Sequence, residues 1–305
     1  MSKTNQTNSL PAAGIRILQP GDEVALEAFL LPRVDSSMFL VGNMRTAGLH
    51  DRGRRFDGTY SAVFNGDEII GVVAHYWNQN LILQASDHLD ALCQAAAAAS
   101  GRPVKGVLGP GDQVQTVKEA LNIVESQIQM DETEILYSLS LAELVVPAQL
   151  GSGTCRARRV KPSDLGLMTE WRVAFSLESL GEHDSPELWA RCRASVERAT
   201  RDGTIWVLVS DGKPVATTAF NTALSEVVQI GGVWTPPAHR SLGYGRSAVA
   251  ASLLDVRAEG AEKAILFTGE SNIAAQRAYT ALGFQIIGDY RILLLRSSLD
   301  WPDPS

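Results

Sequence analysis

Val233-Trp234-Thr235-Pro236-Pro237-Ala238-His239-Arg240-Ser241-Leu242-Gly243-Tyr244-Gly245-Arg246 is the stretch whose reading decides the fold. It leaves a β-forming run, passes a proline-stiffened turn and enters the start of a helix. Glycines at 243 and 245 let backbone N–H groups turn inward and let a ligand approach with no Cβ in the way. Unpaired amides at a helix N-terminus, where the macrodipole adds positive potential, make a site for a phosphate or pyrophosphate. Arg240 and Arg246 flank the turn and add charge. The stretch is neither a Walker A sequence nor a G-x-G-x-x-G fingerprint. Taken alone, it reads equally as an ordinary tight connection.

Upstream, Val227 to Trp234 is a strand, and Gly231-Gly232 inside it marks a bulge or a close backbone approach. Downstream, Val249, Leu253 and Val256 at i, i+4 and i+7 predict a helix over 245–259, with Arg257 in its last turn and Gly260 as its stop. A strand (264–268), a helix (272–282) and an apolar strand (291–295) follow.

The order repeats. Arg16-Ile17-Leu18-Gln19-Pro20-Gly21-Asp22 has a counterpart in Arg158-Arg159-Val160-Lys161-Pro162-Ser163-Asp164, each a short strand stopped by proline with an Asp placed to cap a helix. Gly58 to Ala74 and Gly203 to Phe220 are both strand, tight turn, strand, with Asn65-Gly66 and Asp211-Gly212 supplying the positive φ of a hairpin turn. The first half closes on an apolar strand over 135–141. The alanine run Ala95 to Ala99 reads as a helix end stopped by Gly101 and Pro103. Two domains are expected, as 305 residues also imply: 14–147 and 154–305, parted by the turn-forming Pro147 to Gly153, with 1–13 a disordered tail. The class is α/β (α+β).

Apolar residues at 45% and charged residues at 20% describe a globular chain, and the net charge of −7 has the wrong sign for a nucleic-acid binder. Cys93, Cys155 and Cys192 are widely spaced, which signals neither a disulfide framework nor a metal site. The polar start and the lack of a long apolar run lead us to expect a cytoplasmic protein without a membrane anchor.

Arg240-Ser241-Leu242-Gly243-Tyr244-Gly245 resembles the Arg/Gln-x-x-Gly-x-Gly/Ala motif of the GNAT superfamily of acyl-CoA-dependent N-acetyltransferases. Asn272-Ile273-Ala274-Ala275-Gln276-Arg277-Ala278-Tyr279-Thr280-Ala281-Leu282-Gly283-Phe284 resembles its Asn-x-x-Ala-x-x-x-Tyr-x-x-x-Gly-Phe segment. The specific resemblance covers 227–296, and the strand order extends it back to Cys155. It implies two tandem GNAT-like domains, each a mixed, mostly antiparallel sheet flanked by helices, an arrangement of the mycothiol synthase type. It further implies acetyl-CoA as cosubstrate. The pyrophosphate would lie on the amides of Arg240, Ser241, Leu242, Gly243, Tyr244, Gly245 and Arg246, and the pantetheine along Val233, Trp234 and Thr235. Asn272, an N-cap by residue type, would also touch the pantetheine. The implied reaction is acetyl transfer to an amine-bearing small molecule or peptide by direct attack in a ternary complex, without a metal.

By spacing alone, Tyr279 is a core tyrosine, four residues after Ala275 and three before Leu282. The resemblance places it beside the CoA sulfur as general acid, where a phenol of pKa about 10 assists a leaving thiol of pKa about 8.5. The general base stays open among Glu226, Gln229, Glu178, Glu182 and His183, with Glu182 carried as the candidate and water as another route. Cys155 and Cys192 lie far from both motifs, so an acyl-cysteine route is not favoured. In the first half the nearest glycine turn is Gly106 to Gln113. There Pro110 lacks an N–H and Asp112 is acidic, so that domain is expected to be degenerate and unable to bind CoA. His75-Tyr76-Trp77 and Arg52, Arg54 and Arg55 are candidates for its acceptor surface, or simply a strand end and a solvated loop. The alternative function is a non-catalytic acyl-CoA-binding sensor or regulatory module; a purely structural interaction protein would not need the intact turn.

Overall fold

The computed structural model describes residues 14–302, and the tail expected over 1–13 lies outside the described residues. In chain order the elements are β1 (Gly14–Ile17), α1 (Glu23–Leu30), α2 (Val34–Ala47), β2 (Gly58–Asn65), β3 (Glu68–Tyr76), β4 (Asn80–Ala85), α3 (Leu89–Ser100), β5 (Val104–Gly109), α4 (Gly111–Ala120) and β6 (Ile128–Ser140). Then come α5 (Ala148–Gly151), β7 (Cys155–Arg159), α6 (Leu165–Ser179), α7 (Pro186–Arg201), β8 (Ile205–Ser210), β9 (Lys213–Ala223), β10 (Val227–Trp234), α8 (Tyr244–Ala258), β11 (Lys263–Gly269), α9 (Ile273–Thr280) and β12 (Gln285–Leu299). No helix among the described residues is long and apolar enough to cross a membrane.

Two compact units form, but they are not consecutive halves. One holds the chain up to Glu134 together with the chain from Asp289 onward; the other is Ile135–Gly288. The expected partition around 147–154 falls inside the second unit. The reason is that β6 and β12 each change unit midway. In the first unit the strand order is β1-β2-β3-β4-β5-β12, and in the second it is β6-β11-β10-β9-β8-β7. The pairs β4·β5 and β10·β11 are parallel, whereas β1·β2, β2·β3, β3·β4, β5·β12, β7·β8, β8·β9 and β9·β10 are antiparallel. Each unit is therefore the mixed, mostly antiparallel sheet with helices that the sequence implied.

The repeat extends to single hydrogen bonds. Arg16 grips Asp22 with two N–H···O bonds of 2.6 and 2.8 Å, and Arg158 grips Asp164 likewise at 2.6 and 3.0 Å. In both copies the aspartate also accepts from the backbone N–H three residues earlier, Gln19 and Lys161, each at 2.8 Å. This corrects the expected role of the aspartates: neither side chain caps the following helix. The arginine and the turn amide already occupy the carboxylate, and Arg16 draws the Asp22 carboxyl down to about 2. The second hairpin turns on Asp211-Gly212 at φ 49° and 74°, as expected. The first turns one residue later, because Asn65 still pairs with Glu68 and Gly66 takes the positive φ of 62°.

In the first unit Val63, Leu81, Leu83, Leu92, Val107 and Val117 bury one face of the sheet under α3 and α4, and Leu293 and Leu295 of β12 belong to the same core. The ordering of β12 here is also polar. Arg291 forks onto Asp131 at 2.6 and 2.8 Å, Lys118 adds a contact of 2.6 Å to the same carboxylate, and Asp289 accepts the Gly111 N–H at 2.9 Å. The Arg291 hydrogen bonds hold the Asp131 carboxyl below its ordinary pKa against the opposing effect of burial. A carboxylate whose folded pKa is depressed stabilises the fold above its unfolded value and loses that contribution as the pH falls through the folded value. Asp131→Asn is accordingly expected to cost about 1–3 kcal/mol at neutral pH, read by urea denaturation of the full chain. The gap to the parent should close on acidification below about pH 4; a gap independent of pH would refute the charged clamp.

Candidate functional site

The second unit builds a cleft from β10 outward. Its parallel ladder with β11 runs only from Val227↔Lys263 to Gln229↔Ile265, although both strands continue beyond that point. On its other edge the register against β9 shifts between Gln229 and Ile230 and again between Gly231 and Trp234. At the first shift β9 carries the extra residue, Asn221; the glycine pair lies at the second. Gly232 sits at φ +57°, which side-chain-bearing residues rarely adopt, and a Cβ on Gly231 would lie 2.1 Å from Asn221 Oδ1, so a larger residue there would have to displace the Asn221 side chain. The strand thus peels away from its neighbour at Ile230 and presents an unpaired edge toward β11.

That edge leads to the glycine turn. Ser241 and Gly243 adopt φ of 63° and 75°, and α8 begins at Tyr244. The amides of Leu242, Gly243, Tyr244, Gly245 and Arg246 meet no acceptor among the described residues. A Cβ on Gly245 would press on Thr235 Oγ1 at 3.2 Å. Arg246 Nε is buried with no partner. Open amides, an unpartnered cationic donor and a missing Cβ together fit a pyrophosphate. Arg240 flanks the turn with its charge already paired: it bonds Thr235 O at 3.0 Å and Glu178 at 2.9 Å, and its guanidinium covers the Trp234 ring at 4.9 Å. Trp234 is therefore clamped where the strand edge meets the turn. Tyr244 contributes its backbone here while its hydroxyl turns away toward Ser210, 3.4 Å off.

One residue of the turn's support escaped sequence reading. Gln149 on α5, in the segment taken for a linker, donates from Nε2 to Ser247 Oγ at 2.6 Å and to Leu242 O at 3.5 Å. Its only sequence signal was turn-forming residues around it. Cys155 lies beneath, its thiol reaching Gln149 O at 3.6 Å, and burial raises its pKa, so it is no ready nucleophile.

Across the cleft, Asn272 caps α9 by accepting the Ala275 N–H at 3.1 Å. Tyr279, 9% exposed, packs against Tyr137 and Phe284 at ring distances of 6.3 and 5.9 Å. Its packing serves the core. Of the base candidates, Glu182 is ion-paired with Arg191 and Glu178 with Arg240. His183 is exposed beside Asp184, which accepts from Trp189 at 2.8 Å. The Glu226 carboxylate accepts from Ser225, away from the cleft. Gln229 is 2% exposed, and its Oε1 has no partner at the last paired position before the strands part. A separate cavity of about 90 Å³ lies between α6, α7 and the β8–β10 face, walled by Trp171, Phe175, Phe220 and Trp234, with Arg172 as its one charged residue. Among the described residues, no group of His, Cys, Asp or Glu is arranged to hold a metal ion.

The first unit matches this topology with other residues. Its parallel pair β4·β5 corresponds to β10·β11, so the equivalent of the glycine turn is the link from β4 to α3, Ser86-Asp87-His88, and not Gly106 to Gln113 as the glycines had indicated. That link has no glycine. Moreover, Gln113 Oε1 accepts the Ala85 N–H at 2.9 Å, occupying the strand-end amide. The candidates for an acceptor surface here are structural. His75 is buried with Nδ1 on Ser100, Tyr76 shares a 2.7 Å bond with Tyr60, the Arg52 and Arg54 amides hold Asp57, and Arg55 lies over Phe56 and Trp77.

Comparison with solved structures places this fold among known ones. The chain resembles a Drosophila protein (TM-score 0.65, 14% identity, 92% of this chain and 98% of that one). It also resembles a GCN5-related N-acetyltransferase from Sphaerobacter thermophilus (0.55, 15%, 93% and 96%) and a tandem GNAT protein from the clavulanic acid biosynthesis pathway (0.54, 14%, 93% and 98%). No curated protein sequence matches significantly. Residues 168–284, which run from α6 through the bulged strand, the glycine turn and α9, match the sequence model of the acetyltransferase (GNAT) family. The second unit therefore carries a domain of the acetyltransferase (GNAT) family.

Proposed function

We propose that the protein is an N-acetyltransferase that uses acetyl-CoA and transfers the acetyl group by direct attack of an amine in a ternary complex, with one active site, in the second unit. The observation that carries this reading is the run of five open amides, Leu242 to Arg246, beside a strand edge that Gly231-Gly232 has freed. The family and fold go with acyl transfer in general. Acetyl-CoA supplies an acetyl thioester, whose C–S bond breaks as the acceptor's C–N bond forms. The chain's residues do the rest. The turn amides and Arg246 bind the pyrophosphate, and the edge from Val233 to Thr235 aligns the arm. Tyr279 Oη gives its proton to the departing thiolate, and the amine's surplus proton leaves to water or to Glu182. The first unit takes no CoA, because its own Gln113 fills the strand-end position.

A non-catalytic acyl-CoA-binding module would share the turn and keep Tyr279 purely as a core ring, which its packing against Tyr137 and Phe284 permits. Turnover separates the two readings.

Calorimetry on the full chain is expected to give one acetyl-CoA per chain, with Gly243→Glu abolishing binding, since it places a strained side chain and a negative charge on the open amides. Two sites, or a variant that binds as before, would refute the assignment. Tyr279→Phe is expected to keep the melting temperature and acetyl-CoA affinity while lowering thiol release by about ten- to a thousandfold. A loss of stability with turnover within twofold of the parent would mark Tyr279 as core alone.

A further inference from the structure

The cavity between α6, α7 and the β8–β10 face has an uncompensated charge. Arg172, on α6, is half-buried and makes no hydrogen bond or ion pair among the described residues, although it lines a pocket whose walls include Trp171, Phe175, Phe220 and Trp234. Phe175 covers one face of its guanidinium at 5.0 Å, leaving the N–H edges as its polar outlet. Its position is built in: Arg172 Nη1 lies 3.1 Å from where a Cβ on Gly232 would stand, so the same glycine that bulges β10 makes room for this cation. The nearest acid, Glu182, is committed to Arg191. Burial works against the charged form of Arg172, as its lowered pKa records, while Cys192 and Glu182 favour that form. A guanidinium does not deprotonate to escape such a site. A half-buried cation with no protein partner, set among apolar walls, is matched to an anion brought by a ligand. No lining residue carries a carboxylate with which to recognise a cation.

Resting on the acetyltransferase reading, we infer that the acceptor is an amine that also bears a carboxylate, such as an α-amino acid with an apolar side chain, and that Arg172 binds this carboxylate through two parallel N–H···O bonds. Phe175, Trp171 and Trp234 then surround the apolar part. The volume admits roughly six to nine water-sized groups at the 10–15 Å³ that each requires, enough for a carboxylate and a short stem. The cavity ends at Gly232 and Trp234, on the strand assigned to the acyl donor, so an amine next to the bound carboxylate faces the thioester. The overall charge of −7, which by itself would favour a cationic acceptor, does not extend to this pocket.

The test uses the full chain with saturating acetyl-CoA and a panel of apolar and aromatic L-amino acids beside their carboxamides and decarboxylated amines. Thiol release gives kcat and KM, and calorimetry of the same compounds gives binding without turnover. The expected result is a preference for the free carboxylate of about ten- to a hundredfold in KM, lost in Arg172→Met and partly restored in Arg172→Lys, which keeps the charge but not the fork. Acetyl-CoA affinity should stay within twofold in both variants. Equal use of carboxamides, or an unchanged KM for carboxylates in Arg172→Met, overturns the inference. So does a loss confined to acetyl-CoA affinity, which would assign Arg172 to the acyl donor. If Arg172→Met does not fold, Arg172→Lys read against the carboxamide series decides. If no amine is acetylated, the transferase reading fails by itself, and calorimetry still decides here: carboxylate-dependent binding that needs Arg172 upholds the site, and its absence removes it.

Discussion

Everything in the second unit follows from one backbone constraint, the conformation forced at Gly231-Gly232. A sheet is stable because each strand satisfies its neighbour's N–H and C=O groups, and a strand that leaves the ladder gives up that pairing. Here the departure is fixed by sterics. Asn221 occupies the space of one Cβ and Arg172 approaches that of the other, while φ at 232 is one that side-chain-bearing residues rarely adopt. With the ladder ended at Gln229, the strand delivers Trp234 and Thr235 to the glycine turn, and the turn in turn starts α8. Arg240 then fastens the corner by bonding Thr235 and covering Trp234.

The first unit shows what the same topology becomes without that constraint. Its strand β4 has no glycine pair, its link to α3 has no glycine, and Gln113 bonds the strand-end amide from within. Paired arginine and aspartate side chains six residues apart mark both copies as versions of one plan. Side chains in one copy thus fill internally a position that the other copy leaves open.

Much of this was readable in the sequence because it depends on local rules. The strand Val227–Trp234 and its glycine pair are written by β-forming residues and by the residue that adopts positive φ most readily, and the structure places both as read. The helices after them deviate by a residue or two at their ends, where fraying and capping compete. What escaped reading depends on long-range pairing. Nothing in Gln285–Leu299 states that its later part will lie beside β5, because an apolar strand has no address. Gln149 was hidden because a polar residue among turn-formers carries no period. The first half's glycines at 106, 109 and 111 drew attention to the wrong loop, since topology and not composition decides which turn follows the first parallel strand. Arg172 was invisible for a similar reason: one arginine on a helix reads as solvated until the elements facing it are known.

The exchange of β6 and β12 has a consequence for how the molecule comes into being. No stretch of chain contains the whole first-unit sheet without also containing the second unit, because the β12 residues of that sheet follow it in the sequence. On the ribosome, residues up to Glu134 must wait for roughly 150 more before β5 receives its partner, about eight to thirty seconds at 5–20 residues per second. During that interval β5 is an exposed edge holding Val107 and Leu108, the kind of surface that pairs with other chains. Birth order and assembly order therefore differ in this protein: the half translated first is the last to be complete.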